Sequence, residues 1–371
     1  MDGMARVMVP GVPSSRVTVG VGGESDGTAM TFLQRTNPLD WCRTCAGPKT
    51  PPRHHTRLRS PEKDRLQGQK ISKRHGTSRA GEVYVAIAGH GREASQDRHR
   101  ETDRNRPKMQ LKDIAVLITG AGSGLGAATA RAMAAKGARI ALIGRTRKKL
   151  EEVAAEVGGV ALAADVTNSS ELEAALAQAE AANGVARILV NCAGSGGSRR
   201  LISDNSVYPL EKFIDIVNVN LIGTFNCLRL FCARLVTCEP IGEERGVIIN
   251  TASVAAYEGQ IGQTAYAAAK GGIVSLTLPA ARDLAIHRIR VNTIAPGLFA
   301  TPPLTKLSDA ALSKLGEAVP HPARLGNGEE FAALALHIAE NPMINGETIR
   351  LDGAIRMPPR ILDVGDLNFR F

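Results

Sequence analysis

The stretch that most constrains this chain is TGAGSGLG, residues 119–126, which follows the apolar run at 114–119 and leads into an alanine-rich helical pattern at 124–136. Glycine is wanted at a strand-to-helix turn of this kind for two reasons. The chain reverses tightly there, and its backbone must approach an anionic ligand closely enough for the helix N-terminus to receive it. A glycine cluster alone says little. Set between a strand and a helix, it implies a dinucleotide-binding turn, with Gly120, Ser123, Gly124, Leu125 and Gly126 facing a pyrophosphate.

The texture after Ile114 supports that turn. Apolar runs near 114–119, 138–143, 160–164, 187–191, 246–251, 289–294 and 347–351 predict strands, and helical patterns fall near 124–136, 146–157, 170–183, 211–238, 264–286 and 328–339. Continuous apolar runs alternating with helices imply a parallel sheet covered on both faces. The expected fold is therefore α/β: a Rossmann-type, doubly wound, parallel seven-stranded sheet with helices on both faces. Pro279 falls inside the fifth helical pattern, where it predicts a kink.

SVAAYEGQIGQTAYAAAK, residues 253–270, carries the chemistry. Tyr266 and Lys270 stand four apart in a helix-forming run and project from one face. Taken alone, such a pair is an ordinary surface contact. A redox cofactor bound upstream gives it a use, because a cation beside a phenol favours the phenolate and suits it to proton exchange with an alcohol or carbonyl. Ser253 can hydrogen-bond the same oxygen.

Charge divides the chain. The first 108 residues hold 20 Lys and Arg against 11 Asp and Glu, leaving 26 against 25 for the remainder. Residues 47–80 are basic and rich in Pro, Gly and Ser, so 1–108 reads as a disordered basic arm with too little apolar surface to offset its ordering entropy, preceding one domain over 109–371. Met109 directly precedes the first strand, and the arm is expected not to belong to the working protein. Cys42 and Cys45 with His54 and His55 lack a second ligand pair at zinc spacing, and no metal is expected. Charge alone can bind nucleic acid, but the arm has few aromatics for base stacking, and no nucleic-acid partner is expected. Six cysteines without a framework suit a reducing compartment. No run of 18 apolar residues and no secretory h-region occurs, so neither a membrane span nor a secretory signal is expected. A cytoplasmic location follows, or the mitochondrial matrix in a eukaryotic source, although the arm's scattered acidic residues match a transit peptide poorly.

TGAGSGLG, Asn191-Cys192-Ala193-Gly194, Asn220, and Ser253 with Tyr266-Ala-Ala-Ala-Lys270 together resemble the short-chain dehydrogenase/reductase family. Residues 250–285, 295–302 and 345–357 are most similar to its branch acting on 3-hydroxyacyl-CoA. The resemblance covers about 109–359. It implies reversible oxidation of a 3-hydroxyacyl-CoA with a nicotinamide, Tyr266 as acid/base, Lys270 lowering its pKa and holding the ribose, Ser253 orienting the substrate oxygen, and Asn220 holding a relay water. It also implies cofactor contacts from Asp165, Val166, Asn191, Ala193, Gly194, Pro296, Gly297 and Thr301, and a homotetramer built on the helices near 211–238 and 264–286. Asp165 can equally form an Asx turn, Asn191 and Gly194 can steady the central turn, and Asn220 can cap or kink a helix.

The sequence departs from the branch after the second strand. Gly144-Arg145 stands where an acidic residue would accept the ribose hydroxyls, and Arg145, helped by Arg147 or Lys148, suits a 2′-phosphate. The branch uses NAD; the local chemistry favours NADP. Arg199 and Arg200 are candidates for acyl-CoA phosphates or plain loop charges. The competing functions are an NADPH-dependent reductase of 3-oxoacyl thioesters or steroid-type ketones, and a nucleic-acid-associated scaffold relying on the arm.

Overall fold

Five residues, AVLIT, form β1 (Ala115–Thr119), and all five are buried. A strand covered on both faces needs apolar residues at successive positions, and β1 has them: Val116 and Ile118 enter one core, Leu117 the other. Full burial of each such side chain contributes about 1.5–3 kcal/mol. The computed structural model describes residues 109–360 except 204, 205, 303, 305 and 306. The basic arm, the Cys42–Cys45 pair with its histidines, and residues 361–371 lie outside the described residues.

Six further strands join β1: β2 (Arg139–Gly144), β3 (Val160–Ala163), β4 (Ile188–Asn191), β7 (Gly246–Thr251), β8 (Ile289–Pro296) and β9 (Thr348–Leu351). All pair in parallel, in the order β3-β2-β1-β4-β7-β8-β9. A short antiparallel pair, β5 (Ile202–Ser203) with β6 (Ser206–Val207), stands apart. One face is covered by α1 (Gly124–Ala135), α2 (Arg147–Val157) and α8 (Gly328–Glu340), through Met133, Leu150 and Phe331. The other is covered by α3 (Ser169–Asn183), α5 (Gly223–Leu235) and α6 (Thr264–Ala285), through Leu172, Phe231 and Ala281. The expected seven-stranded doubly wound sheet is what the chain builds. The order reverses between β1 and β4, and a ligand crevice opens outside the carboxyl ends of strands at such a point.

Two details differ from the sequence reading. The helix expected over 211–238 is α4 (Leu210–Val217), a π-turn (Asn218–Ile222) and then α5. Inside the turn, Nδ2 of Asn220 donates to the Ile216 carbonyl at 2.9 Å, and the Thr224 hydroxyl donates to the Asn220 carbonyl at 2.6 Å. These bonds draw on carbonyls of the helical ladder, and the π-turn falls where they do. A further helix, α7 (Asp309–Glu317), was not expected. Leu210–Leu235 is long and apolar enough to cross a bilayer, but half of it is buried in the protein, with Cys227, Phe231 and Leu235 in the core.

Candidate active site

A cleft of about 1290 Å³ opens at the carboxyl ends of the strands. Its floor is the β1–α1 turn. Gly120 has φ +63°, and a Cβ there would stand 2.6 Å from the Ala193 nitrogen; a Cβ on Gly126 would stand 2.5 Å from the Gly120 carbonyl oxygen. No side chain fits at either position. Ser123 caps α1 without spending its hydroxyl on the helix, and the first turn carries no acidic residue. Ser123, Gly124 and Leu125 line the same floor. Free N–H groups at a helix N-terminus beside a glycine cradle suit a pyrophosphate, so the residues fit a dinucleotide.

Gly144, Arg145 and Thr146, after β2, and Asp165 and Val166, after the neighbouring β3, line the cleft side by side. Burial raises the Asp165 carboxyl, but hydrogen bonds from the Thr167 N–H and hydroxyl, with the charge of Arg145, bring it below its ordinary value. Those bonds, 2.8 and 2.7 Å long, are the Asx turn that the sequence allowed. Arg147 turns away to Glu151, 3.7 Å off on the exposed face, and it is Lys149 that lines the cleft beside Arg145. Helical phase decides this.

Ser253, Tyr266, Lys270 and Asn220 meet near the centre. Ser253 caps a short 3₁₀ turn, its Oγ accepting from the Ala255 N–H at 3.1 Å, which leaves its proton free to donate. Burial raises the Tyr266 phenol above its ordinary value, and a hydrogen bond with Ser253 opposes the rise. The sequence reading expected a fall. Lys270 lies 5.7 Å from the ring centre and is engaged elsewhere, its Nζ donating to the Thr251 carbonyl at 2.8 Å. Burial brings that ammonium down to about 8. A Cβ on Gly194 would stand 2.7 Å from Asn220 Oδ1 and 3.6 Å from Lys270 Nζ, so the two atoms border one small space. Asn220 Oδ1 is buried with no hydrogen-bond partner. An acceptor so placed calls for a donor, such as a water between it and the ammonium.

Gly194, Ala193, Pro296, Gly297 and Thr301 line the cleft. Asn191 does not. It is 2% exposed inside the sheet, donating to Asn250 at 3.0 Å and accepting from the Thr119 hydroxyl at 3.4 Å, so it ties three strands together. Cys192, its neighbour, does reach the cleft, but burial pushes its thiol up to about 11 despite Thr251 and Lys270. It stays a neutral thiol. Arg199 and Arg200 line the outer half, joined by Met357 and Arg360, which carried no local signal in the sequence.

A family model described as short chain dehydrogenase matches residues 114–311. Curated relatives named 3-hydroxyacyl-CoA dehydrogenase type-2 are 50% identical in Rattus norvegicus and 48% in Homo sapiens, each over 67% of this chain and 97% of the relative. A solved 3-hydroxyacyl-CoA dehydrogenase type-2 from Mycobacterium avium is 40% identical, with a TM-score of 0.65 over 67% of this chain and 97% of its own. A 3-ketoacyl-(acyl-carrier-protein) reductase from Brucella melitensis, complexed with NADH, is 31% identical with a TM-score of 0.61, over 67% and 100%.

Proposed function

The chain belongs to the short-chain dehydrogenase family, and we propose that within it this enzyme interconverts a 3-hydroxyacyl-CoA and the matching 3-oxoacyl-CoA. It is a nicotinamide-dependent oxidoreductase acting on a CH–OH group. The observation that carries the substrate class is identity of 48–50% along nearly the whole length of relatives bearing that name. The cofactor supplies the hydride acceptor in oxidation and the hydride donor in reduction.

Each residue then has a task. In oxidation the Tyr266 oxygen, as phenolate, takes the hydroxyl proton while a hydride leaves the same carbon. Ser253 donates to that oxygen and fixes its direction. Lys270, 5.7 Å from the ring centre, is the cation set against the rise that burial imposes on the phenol and a donor for the ribose, and Asn220 Oδ1 receives the water through which the proton leaves toward solvent. Asp165 and Val166 border the adenine, with Pro296, Gly297 and Thr301 around the nicotinamide. Arg145 and Lys149 support NADP, since both are cations and no acidic residue stands at that strand end. Exposed Ile214, Phe225 and Leu278 on α4, α5 and α6 support a homotetramer, which sedimentation velocity can check.

One assay set tests the proposal. Purified enzyme should turn over acetoacetyl-CoA faster than an acyl-carrier-protein thioester or a steroid ketone, with higher kcat/KM for NADPH than for NADH. Tyr266→Phe should lower kcat by about 10²–10⁴-fold while cofactor still binds. Turnover retained in that variant removes Tyr266 as acid/base, and a preference for either other substrate removes the acyl-CoA assignment.

A further inference from the structure

Glu258 lies five positions past Ser253 and takes no part in the proton or hydride steps. Its N–H donates to the Val254 carbonyl at 3.0 Å, closing the turn that Ser253 caps. Its carboxylate faces the other way. Arg350, at the end of β9, donates to its two oxygens at 2.6 and 2.9 Å, the Met357 N–H donates at 3.3 Å, and Arg356 stands 3.5 Å off. Arg350 also donates to Asp352 at 2.7 Å and to the Ile355 carbonyl at 3.0 Å. Two more ties follow along the same loop: the Gln260 amide to the Pro358 carbonyl and the Ile261 N–H to the Pro359 carbonyl, both 3.0 Å.

Residues 356–360 are thus laced to 258–261 by polar bonds. Apolar packing holds them little: Ile355 is buried, but Arg356, Pro358, Pro359 and Arg360 are exposed. Exposed ion pairs contribute little to stability, whereas a two-pronged guanidinium–carboxylate pair with each side chain only 22% exposed fixes geometry. The segment it fixes places Met357 and Arg360 on the cleft lining.

We infer that Glu258 is a positioning residue for the substrate: through Arg350 and the Met357 N–H it holds residues 356–360 as one wall of the outer cleft and sets Arg360 at the rim. The inference rests on assigning that half of the cleft to an acyl-CoA. In the full chain, Glu258→Gln should raise KM for acetoacetyl-CoA about tenfold, with kcat and the cofactor KM changed less than about twofold, because only uniform substrate binding is lost. Amide exchange at Met357 and Ile261 should quicken while that of β7 and β8 does not. Glu258→Asp, which keeps the charge, should recover part of the KM. Met357→Ala/Arg360→Ala already lacks the wall's side chains, so adding Glu258→Gln should raise KM less than about twofold further.

Unchanged exchange, unchanged KM, full multiplicative effects in the triple variant, or a joint fall in kcat, cofactor binding and thermal stability would each overturn the inference. The last would make Glu258 a purely structural residue. If the wild-type enzyme ignores acetoacetyl-CoA, the substrate class fails, and the exchange measurement alone still decides whether Glu258 holds the wall.

Discussion

Lys270 carries two demands that conflict. The residue is 4% exposed, and burial brings its pKa from 10.5 down to about 8. Below about pH 8 the folded and unfolded chains both hold the proton, and the folded one bears the full cost of a buried charge. Between about 8 and 10.5 the folded protein sheds the proton while the unfolded chain keeps it, so stability rises with pH across that window, by up to about 1.4 kcal/mol per unit. Lys270→Met has no such titration. Urea denaturation of both proteins from pH 7 to 10 should show wild-type stability climbing relative to the variant from about pH 8 upward; a constant difference would contradict the buried, destabilised ammonium. The same titration removes the charge that the phenol needs, so the conditions that stabilise this residue disarm it.

The turn joining β1 to α1 is the element on which the cofactor reading stands, and Gly126 tests it. A methyl there would lie 2.5 Å from the Gly120 carbonyl oxygen, a backbone atom with no rotamer to yield. Gly126→Ala must therefore move α1 away from the turn. It should cost about 1–3 kcal/mol of stability and weaken NADPH binding at least about tenfold, read by cofactor fluorescence, with the thermal transition still cooperative. Unaltered affinity would mean that the turn does not cradle the cofactor. This element was legible in the sequence because every constraint on it is local: glycines, a preceding apolar run and a following helical period. The pairing of Tyr266 with Lys270 was legible for the same reason. Lys149 was missed because its neighbours Arg147 and Lys148 offer the same charge, and only the phase of α2 against the sheet selects among them. The π-turn was missed because its cause is two side-chain bonds inside an otherwise regular apolar helix. Met357 and Arg360 reach the cleft through tertiary contacts such as the Met357 N–H bond to Glu258, 99 residues away, which no local pattern carries.

The sheet divides its labour between its two ends. Every proposed catalytic group gathers at the carboxyl ends of the strands, where loops can diverge without disturbing the core. At the amino ends sits a different kind of charge. Arg290, second residue of β8, is 5% exposed and reaches Glu244, just before β7 and 7% exposed, at 2.6 and 3.2 Å. Its remaining donors go to the carbonyls of Ile338, Ala339 and Ile344, so one guanidinium ties the last turn of α8 and the loop after it to the sheet. A buried pair of this sort contributes little over an apolar substitute, but removing one partner strands the other charge in the interior. Glu244→Ala and Arg290→Met should therefore each cost about 3–5 kcal/mol in denaturant unfolding, since each strands the other partner's charge and Arg290→Met also takes the donor from the Ile338, Ala339 and Ile344 carbonyls. Neither should change KM for cofactor or substrate in the fraction that remains folded, since both lie at the end opposite the cleft. A loss of kcat/KM in the folded Glu244→Ala enzyme would show that the two ends of the sheet are mechanically coupled, against the separation argued from where these charges stand.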